Sequence, residues 1–243
     1  MEVPAVCHIH STWSYDGKWP LDALARRFSS RGYRVVMMTE HDRGFTESRH
    51  SAFREACAQV STAKTLVVPG IEYSDSANRV HVLVWGTPFL GENLPTGEML
   101  DAAGAAGGVA VLAHPSRKDA WRCFDPSWAD MLSGVEIWNR KYDGWAPSKT
   151  ATPLLERANA IPFVGLDFHT RRQSFPLAMT MDIDSKVTEQ TVLECIRARR
   201  VTPRVFGLQV DGQLVRSAFP ILGALEASRK RCASASRKVK LRV

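Results

Sequence analysis

Seven short apolar segments recur along the chain, and most of them are followed by a longer amphipathic segment. The apolar segments are rich in valine, isoleucine and leucine, which is typical of strands buried on both faces. They are Val3–His8, Arg34–Thr39, Leu66–Ile71, Arg79–Trp85, Val109–Ala113, Val135–Trp138 and Ile161–Leu166. Strands that alternate with helices predict a parallel α/β fold, either an open doubly wound sheet or a closed barrel.

The segments between the strands have apolar residues at helical spacing, as Leu21, Leu24 and Phe28 illustrate. Helices are predicted over Leu21–Arg31, Glu47–Ala63, Gly97–Ala106, Pro126–Leu132, Ser148–Asn159 and Val187–Arg199. Beyond the last helix, Arg204–Val210 and Gln213–Val215 flank an Asp-Gly dipeptide, which predicts a β-hairpin. We therefore expect one domain over residues 1–228 that includes a C-terminal hairpin near 204–215.

The positive charge of the chain is concentrated at its C-terminal end. Thirty-two Lys and Arg residues stand against 25 Asp and Glu residues, which gives a formal net charge of +7. The segment 229–243 holds seven basic residues and no acid, so the body of the chain is formally neutral. We expect this basic tail to be disordered and to bind nucleic acid weakly, since clustered positive charges attract phosphates without regard to sequence.

Cysteine usage and hydropathy indicate a protein of a reducing compartment. The five cysteines are widely spaced and form no C-x-x-C pair, which argues against a disulfide framework or a zinc knuckle. The N-terminal residues lack the basic and apolar regions of a signal peptide. No apolar segment reaches the roughly 18 residues that a membrane span requires. We expect a soluble, cytoplasmic protein; the sequence indicates no oligomeric state.

Six of the seven histidines lie in or at the end of a predicted strand, where two acidic residues join them. In a parallel α/β fold the carboxyl ends of the strands meet on one face, and active sites form there. We therefore expect residues that are scattered in the sequence to converge in space. With Asp16 after the first strand, the set is His8, His10, Asp16, His41, Glu72, His81, His114, Asp167 and His169.

Imidazoles and carboxylates together suit divalent first-row metals, and a carboxylate can bridge two ions. In H-x-H the two side chains share one face of an extended segment, so His8 and His10 can bind the same ion. Nine ligands are too many for one centre and fit two or three ions of Mn, Fe or Zn. His50 lies alone inside a predicted helix and is interpreted as a structural residue.

At these residues the sequence resembles the PHP superfamily, the polymerase and histidinol phosphatase superfamily. His8-x-His10-Ser11 with Ser14-x-Asp16-Gly17 resembles its first motif, and Thr39-Glu40-His41-Asp42 resembles its second. Gly70-Ile71-Glu72, Val80-His81-Val82, Ala113-His114-Pro115 and Gly165-Leu166-Asp167-x-His169 follow in the order of the family. The resemblance covers residues 8–169, and the motifs together are highly specific.

The resemblance implies a distorted seven-stranded β/α barrel that carries up to three metal ions. By analogy, one ion is held by His8, His10, Glu72 and Asp167, a second by Glu72, His81 and His114, and a third by Asp16, His41 and His169. The expected activity is hydrolysis of a phosphomonoester or of a nucleotide or oligonucleotide phosphoester, with a metal-bridging hydroxide as the nucleophile.

Three arginines follow the predicted ligands closely enough to reach the same mouth. Arg117 comes shortly after His114, and Arg171 and Arg172 come just after His169. An arginine there can clamp a phosphate group through two parallel hydrogen bonds. Weaker candidates for the same role are Arg43, Asn139 and Lys141, while Glu40 and Asp42 are candidates for orienting His41.

Two alternatives to the phosphoesterase remain open at this point. The same metal cluster can hydrolyse a bond that contains no phosphate. The domain can instead be a non-catalytic, metal-stabilised module whose basic tail binds nucleic acid. The complete set of nine ligand residues favours an enzyme, because a purely structural module does not need all of them.

Overall fold

The computed structural model describes the backbone of residues 1–210 and 213–240. Its strands are β1 (Glu2–Ile9), β2 (Val35–Met38), β3 (Glu40–His41), β4 (Leu66–Val68), β5 (Gly70–Ser74), β6 (His81–Trp85), β7 (Val109–Ala113), β8 (Gly134–Asn139), β9 (Ile161–Gly165), β10 (Leu177–Asp182), β11 (Val201–Val205) and β12 (Leu208–Gln209). Its α-helices are α1 (Leu21–Ser29), α2 (Glu47–Val60), α3 (Thr96–Ala105), α4 (Thr152–Ala158), α5 (Glu189–Arg197) and α6 (Gln213–Lys240).

The strands form two mixed sheets of six strands each. The first sheet has the order β12-β11-β10-β1-β2-β4, and the second has the order β3-β5-β6-β7-β8-β9. All seven strands predicted from the apolar segments are present. The segment Leu66–Ile71 crosses from one sheet to the other at Pro69, and Arg34–Thr39 ends where the chain passes from β2 to β3. The mixed α/β class is therefore confirmed, whereas the expectation of an all-parallel arrangement is wrong.

The two sheets adjoin along the C-terminal half of β1. The backbone N–H groups of Leu166 and Phe168 donate to the carbonyl oxygens of Cys7 and His8, at 3.0 Å each, and His10 donates to Phe168 at 3.0 Å. These bonds involve residues that come after the end of β9, so they do not join the two sheets into one hydrogen-bonded ladder. The described residues do not form a closed ladder, so the barrel that the resemblance implies is not confirmed.

The reversal of β6 explains why His81 reaches the same edge as the other candidates. β6 is antiparallel to both of its neighbours, β5 and β7. An antiparallel strand begins where its neighbours end. His81 is the first residue of β6 and pairs with Ser74 and Ala113, which are the last residues of β5 and β7.

The predicted C-terminal hairpin is misplaced. The hairpin joins β11 to β12 and turns at Phe206 and Gly207, whose φ angles are 50° and 79°. A two-residue turn of this kind requires left-handed backbone at both positions. Gln213–Val215, expected as its second strand, begins α6, while Asp211 and Gly212 lie outside the described residues.

The tail expected to be disordered is helical over most of its length, because α6 continues from Gln213 to Lys240. The last three residues, 241–243, lie outside the described part of the chain. Over the described residues, none of the helices combines the length and the apolar character that crossing a membrane would take.

The core is built from the inward faces of both sheets and the apolar stripes of the helices. Helix α1 buries Leu21, Leu24, Ala25 and Phe28, the stripe that its sequence spacing predicts. Phe163 in β9 is fully buried and its ring lies 6.0 Å from that of Trp85 in β6, so it joins two strands of the second sheet.

We expect Phe163→Ala to lower the free energy of unfolding by about 3–5 kcal/mol, because it removes a buried ring and leaves a cavity. Urea denaturation followed by circular dichroism measures the change. Phe206→Ala is the matched control, since Phe206 is 70% exposed. Equal losses in the two variants would contradict the assignment of Phe163 to the core.

Candidate metal centre

All nine predicted ligand residues lie at one edge of the two sheets, where β1, β3, β5, β7 and β9 end and β6 begins. All six histidines of the set contact Glu72, Asp16 or Asp167 at 2.7–3.9 Å. The nine residues differ in how deeply they are buried. His8 and His10 are fully buried, whereas the side chain of Asp16 is 34% exposed.

Glu72 lies at the centre of the cluster and is 1% exposed. One oxygen, Oε1, lies 2.7 Å from His81 Nδ1 and 2.8 Å from His114 Nε2. The other oxygen, Oε2, lies 3.2 Å from His41 Nδ1, 3.3 Å from His10 Nε2 and 3.4 Å from His8 Nε2. One carboxylate therefore faces five imidazole rings, of which three lie within β1, β3 and β6 and two lie just after β1 and β7.

Two further carboxylates complete the cluster on either side. Asp167 Oδ1 lies 3.1 Å from His169 Nδ1 and 3.9 Å from His8 Nε2. Asp16 is nearer the solvent, and its oxygens lie 2.9 Å from His169 Nε2 and 3.4 Å from His41 Nε2. In this way every one of the three acids contacts at least two histidines.

The donor atoms of eight of the nine residues, all except Asp16, fall into four groups of three, each within 4.8 Å of one another. The groups are His8, His10 and Glu72; Glu72, His81 and His114; His8, His114 and Asp167; and His10, His41 and His169. These groups share members, as the sites of a polynuclear centre do.

Three of the predicted ligands have left-handed backbone. The φ angles are 62° at His8, 25° at His114 and 48° at Asp167. Such conformations cost of order 1 kcal/mol or more in non-glycine residues and concentrate at functional sites. At His8 the strained residue coincides with a register shift between Cys7 and Ile9 in the pairing of β1 with β2. The bulge turns the side chain of His8 toward Glu72.

The cluster passes a test for metal binding that depends only on hydrogen bonding. His8 Nε2 and His10 Nε2 lie 3.4 and 3.3 Å from Glu72 Oε2, but these three buried atoms do not have the geometry of a hydrogen bond with each other or with any other partner among the described residues. Unpartnered buried polar atoms are rare in folded proteins, because each one loses its hydration without compensation. Two imidazole nitrogens and a carboxylate oxygen that converge in this way are the donor set that a divalent first-row ion prefers.

Glu136 holds His8 in place, and sequence reasoning missed it. It is fully buried in β8, and its Oε1 lies 2.9 Å from His8 Nδ1. Its Oε2 accepts hydrogen bonds from the backbone N–H of His114 and from Asn139 Nδ2. With Nδ1 donating to this carboxylate, His8 presents the lone pair of Nε2 to the cluster.

The space for Glu136 depends on Gly165, the last residue of β9. A Cβ atom at Gly165 would lie 1.9 Å from Glu136 Oε1 and 2.7 Å from His8 Cβ. A side chain there would therefore displace the carboxylate that orients His8. The signal for Glu136 in the sequence was a lone acid within an apolar strand, which is rarely buried without partners.

Glu40 orients the ring of His10 indirectly, because both residues hydrogen-bond to the hydroxyl of Ser14. The Ser14 hydroxyl donates to Glu40 Oε2 at 2.5 Å, so it accepts from His10 Nδ1 at 3.4 Å and from the backbone N–H of His41 at 2.9 Å. The expected role for Glu40 in orienting His41 is thus indirect. Asp42 accepts hydrogen bonds from Ser74 and Asn93 instead, and the described contacts do not join it to the His41 ring.

The candidate phosphate-binding arginines are placed unequally. Arg117 lies beside the cluster and donates to Asn78, which in turn contacts His81. Arg171 lies over the ring of Trp19, and Arg172 is exposed. None of the described contacts connects Arg171 or Arg172 to the predicted ligands.

Of the weaker candidates, Lys141 reaches the cluster most directly. Its ammonium group donates to Asp167 Oδ1 at 3.0 Å and lies 3.5 Å from both ring nitrogens of His169. Asn139 contacts Glu136, and Arg43 lies over the ring of Tyr15, which stacks on His41.

The electrostatics favour ionised acids at the centre of the cluster. Burial alone would raise the pKa of Glu72, but the histidines around it, His8 and His81 first, hold that pKa well below the usual range. His41 shows the reciprocal effect. Burial disfavours its charge, yet Glu72 and Asp16 raise its pKa to about 11. Asp16 and Asp167 likewise outweigh burial at His169 and raise its pKa to about 9.

A cleft of about 1720 Å³ opens beside the cluster. Its wall includes Arg117 and Tyr142, and the ring of Tyr142 lies 4.8 Å from that of His114. Phe219 and Pro220 of α6 line it farther from the cluster. None of the nine predicted ligands lines the cleft, and Tyr142 links its wall to the ring of His114.

No protein-family model matches this chain, and no curated protein matches it either. Solved structures do match. A two-domain protein from Bacteroides vulgatus ATCC 8482, described as containing a predicted PHP-like metal-dependent phosphoesterase, aligns with a TM-score of 0.64 at 16% identity, over 90% of this chain and 69% of its own.

Two other structures align to a similar degree. PsfC from Pseudomonas syringae PB-5123 has a TM-score of 0.62 at 14% identity, over 96% of this chain and 99% of its own. The lesion-specific endonuclease PfuEndoQ from Pyrococcus furiosus has a TM-score of 0.61 at 14% identity, over 82% of this chain and 56% of its own. This chain therefore shares the fold of these three structures.

We expect Glu136→Ala to weaken metal binding about 10–100-fold, as the loss of a group that orients a metal-ligating histidine commonly does. Competition with a chromophoric chelator measures the dissociation constants. Glu156→Ala removes a carboxylate from a residue of α4 outside the cluster and is the control. Unchanged affinity in Glu136→Ala would contradict the role assigned to Glu136.

We expect metal affinity to rise with pH between about 6.5 and 8.5. His41 and His169, with pKa values of about 11 and 9, carry protons at neutral pH and must release them to bind metal. Each released proton contributes up to about tenfold per pH unit. Titration with Mn²⁺ at several pH values measures the slope.

The control for that slope is His50→Ala, because burial lowers the pKa of His50 to about 4 and the ring is already neutral. This variant should show the same pH dependence as the wild type. Affinity that does not change with pH would exclude the release of protons by the cluster.

Proposed function

We propose that this protein is a metal-dependent phosphoesterase. It would hydrolyse a phosphomonoester or a nucleotide or oligonucleotide phosphoester. The observation that carries the proposal is the convergence of Glu72 with unpartnered nitrogens of His8 and His10 inside a cluster of six histidines and three acids. Structural neighbours described as a PHP-like phosphoesterase and as a lesion-specific endonuclease support the reaction class.

Two or three divalent ions, Mn, Fe or Zn, would occupy the cluster, divided as the resemblance implies. The grouping of Glu72 with His81 and His114, and of His8 and His10 with Glu72, supports two of the three sites. When bound, such ions activate water for attack on phosphorus and neutralise charge on the phosphoryl oxygens. The hydrogen bonds between β1 and the residues after β9 support an approximately closed, barrel-like arrangement around them.

The residues of the chain would contribute orientation and charge. Glu136 and the Ser14–Glu40 pair fix the rings of His8 and His10, so the ligand set is organised before metal binds. Lys141 supplies a cation whose side chain is 27% exposed, placed to contact a phosphoryl oxygen as the substrate approaches Asp167. Phosphate contacts by Arg117, Arg171 and Arg172 remain predictions.

The cleft beside His114 offers space for the organic part of the substrate. Tyr142 and Phe219 give it aromatic surface, on which a nucleobase or another flat group can stack. This favours a substrate larger than a simple alkyl phosphate. Nucleic-acid binding by the basic tail and a cytoplasmic location are further predictions from the sequence.

We expect purified protein to contain two or three divalent ions per chain and to release phosphate from p-nitrophenyl phosphate. The double substitution His8→Ala/His10→Ala removes two central ligands and should lower both metal content and release, the latter at least about 100-fold. Elemental analysis and the release of nitrophenolate are the measurements. His50→Ala, a histidine outside the cluster, should change neither.

Other results would select the alternatives. Bound metal without release from any phosphate ester would indicate hydrolysis of a different bond. Absence of metal after reconstitution with Mn, Fe and Zn would exclude the catalytic proposal and favour a binding module.

A further inference from the structure

Two nitrogens of the Arg117 guanidinium group donate to one residue, Asn78, in the turn between β5 and β6. Its two terminal nitrogens donate to the backbone oxygen of Asn78 at 2.9 Å and to the side-chain Oδ1 at 2.8 Å. Its Nε donates to the hydroxyl of Tyr142 at 3.1 Å. The two terminal nitrogens of the guanidinium group thus bind one asparagine, and the third nitrogen is held by a tyrosine hydroxyl.

The arginine determines which way the amide of Asn78 faces. A guanidinium group has only donors, so the atom of Asn78 that meets it must be the oxygen. The same Oδ1 lies 2.7 Å from Nε2 of His81. Because this oxygen can only accept, Nε2 of His81 must carry the hydrogen.

This tautomer presents the lone pair of Nδ1 to the cluster. Nδ1 of His81 lies 2.7 Å from Glu72 Oε1, and Nε2 of His114 lies 2.8 Å from the same oxygen. These three residues form one of the groups whose donor atoms lie within 4.8 Å of one another. The alternative tautomer would put a hydrogen on the atom that has to bind the ion.

The turn that carries Asn78 is built to hold it in this position. Asn78 has a φ angle of 48°, and its backbone N–H donates to the carbonyl oxygen of Asp75 at 2.8 Å. The carboxylate of Asp75 accepts from the backbone N–H groups of Arg79 and Val80. Asparagine tolerates left-handed backbone better than most residues, so it suits this turn.

We propose that Arg117 and Asn78 are positioning residues that set the tautomer of His81 and thereby complete the metal site formed with Glu72 and His114. The inference rests on the proposed metal centre but not on the bond that the enzyme cleaves. It gives Arg117 a different task from the phosphate clamp that its place in the sequence suggests.

The test compares Asn78→Gly with Asn78→Asp in the full-length chain. Glycine keeps the left-handed backbone and removes the acceptor, whereas aspartate keeps an oxygen that can accept from both Arg117 and His81. We expect Asn78→Gly to weaken the binding of one Mn²⁺ ion about 10–100-fold and to leave the others unchanged. We expect Asn78→Asp to bind within about threefold of the wild type.

A second readout follows the histidine itself. Long-range ¹H–¹⁵N spectra of the Zn²⁺-loaded chain show which ring nitrogen of His81 carries hydrogen, with His81→Gln used to assign the signal. The wild type and Asn78→Asp should show hydrogen on Nε2, and Asn78→Gly should show a mixture. Asn93→Gly is the matched control, because Asn93 also has left-handed backbone, with φ of 58°, and lies outside the cluster.

Arg117→Gln separates the two roles of the arginine. If Arg117 positions His81, this variant loses affinity for the same single ion and shifts the tautomer. Unchanged metal affinity and tautomer in Asn78→Gly and Arg117→Gln, with only the KM for p-nitrophenyl phosphate raised in Arg117→Gln, would overturn the inference. Wild-type protein that binds no metal would overturn the proposed function as well.

Discussion

The rest of the structure depends on a buried carboxylate in the middle of β5. Glu72 is 1% exposed, and a buried charge is costly unless opposite charges and donors surround it. Five histidine rings meet that need, and they come from parts of the chain as distant as His8 and His114. The two sheets are arranged so that their strand ends deliver those rings. The positive charge that Glu72 requires is also what a cluster of metal ions would supply.

Much of the fold and the cluster could be predicted from the sequence, because both depend on local patterns. Apolar segments marked seven strands, and the rule that strand ends share one face brought nine residues together. The position of His81 was predicted correctly, but for a reason different from the rule. β6 is antiparallel to its neighbours, so the start of this strand, not its end, lies at the shared edge.

The features that were missed depend on pairing between distant segments. Glu136 looked like part of an apolar strand, and only the approach of β1 to β8 shows that it holds His8. The hairpin was placed at Asp211-Gly212 because that dipeptide favours turns, yet Phe206 and Gly207 adopt the left-handed backbone. The basic tail was expected to be disordered, yet α6 extends through it to Lys240. His and Asp adopt left-handed backbone more often than most residue types, but residue type alone does not single out His114 and Asp167.

The position of β1 between the two sheets has a consequence for how the protein comes apart. His8 and His10 extend from the first sheet, while Glu72 and His81 belong to the second. Ions bound among them would act as cross-links over the seam between the sheets, which backbone hydrogen bonds near Phe168 otherwise close. Loss of the ions would then lower the stability of the protein as well as any activity at the site. The two sheets would separate more easily along this boundary, and proteases would cleave the protein more readily.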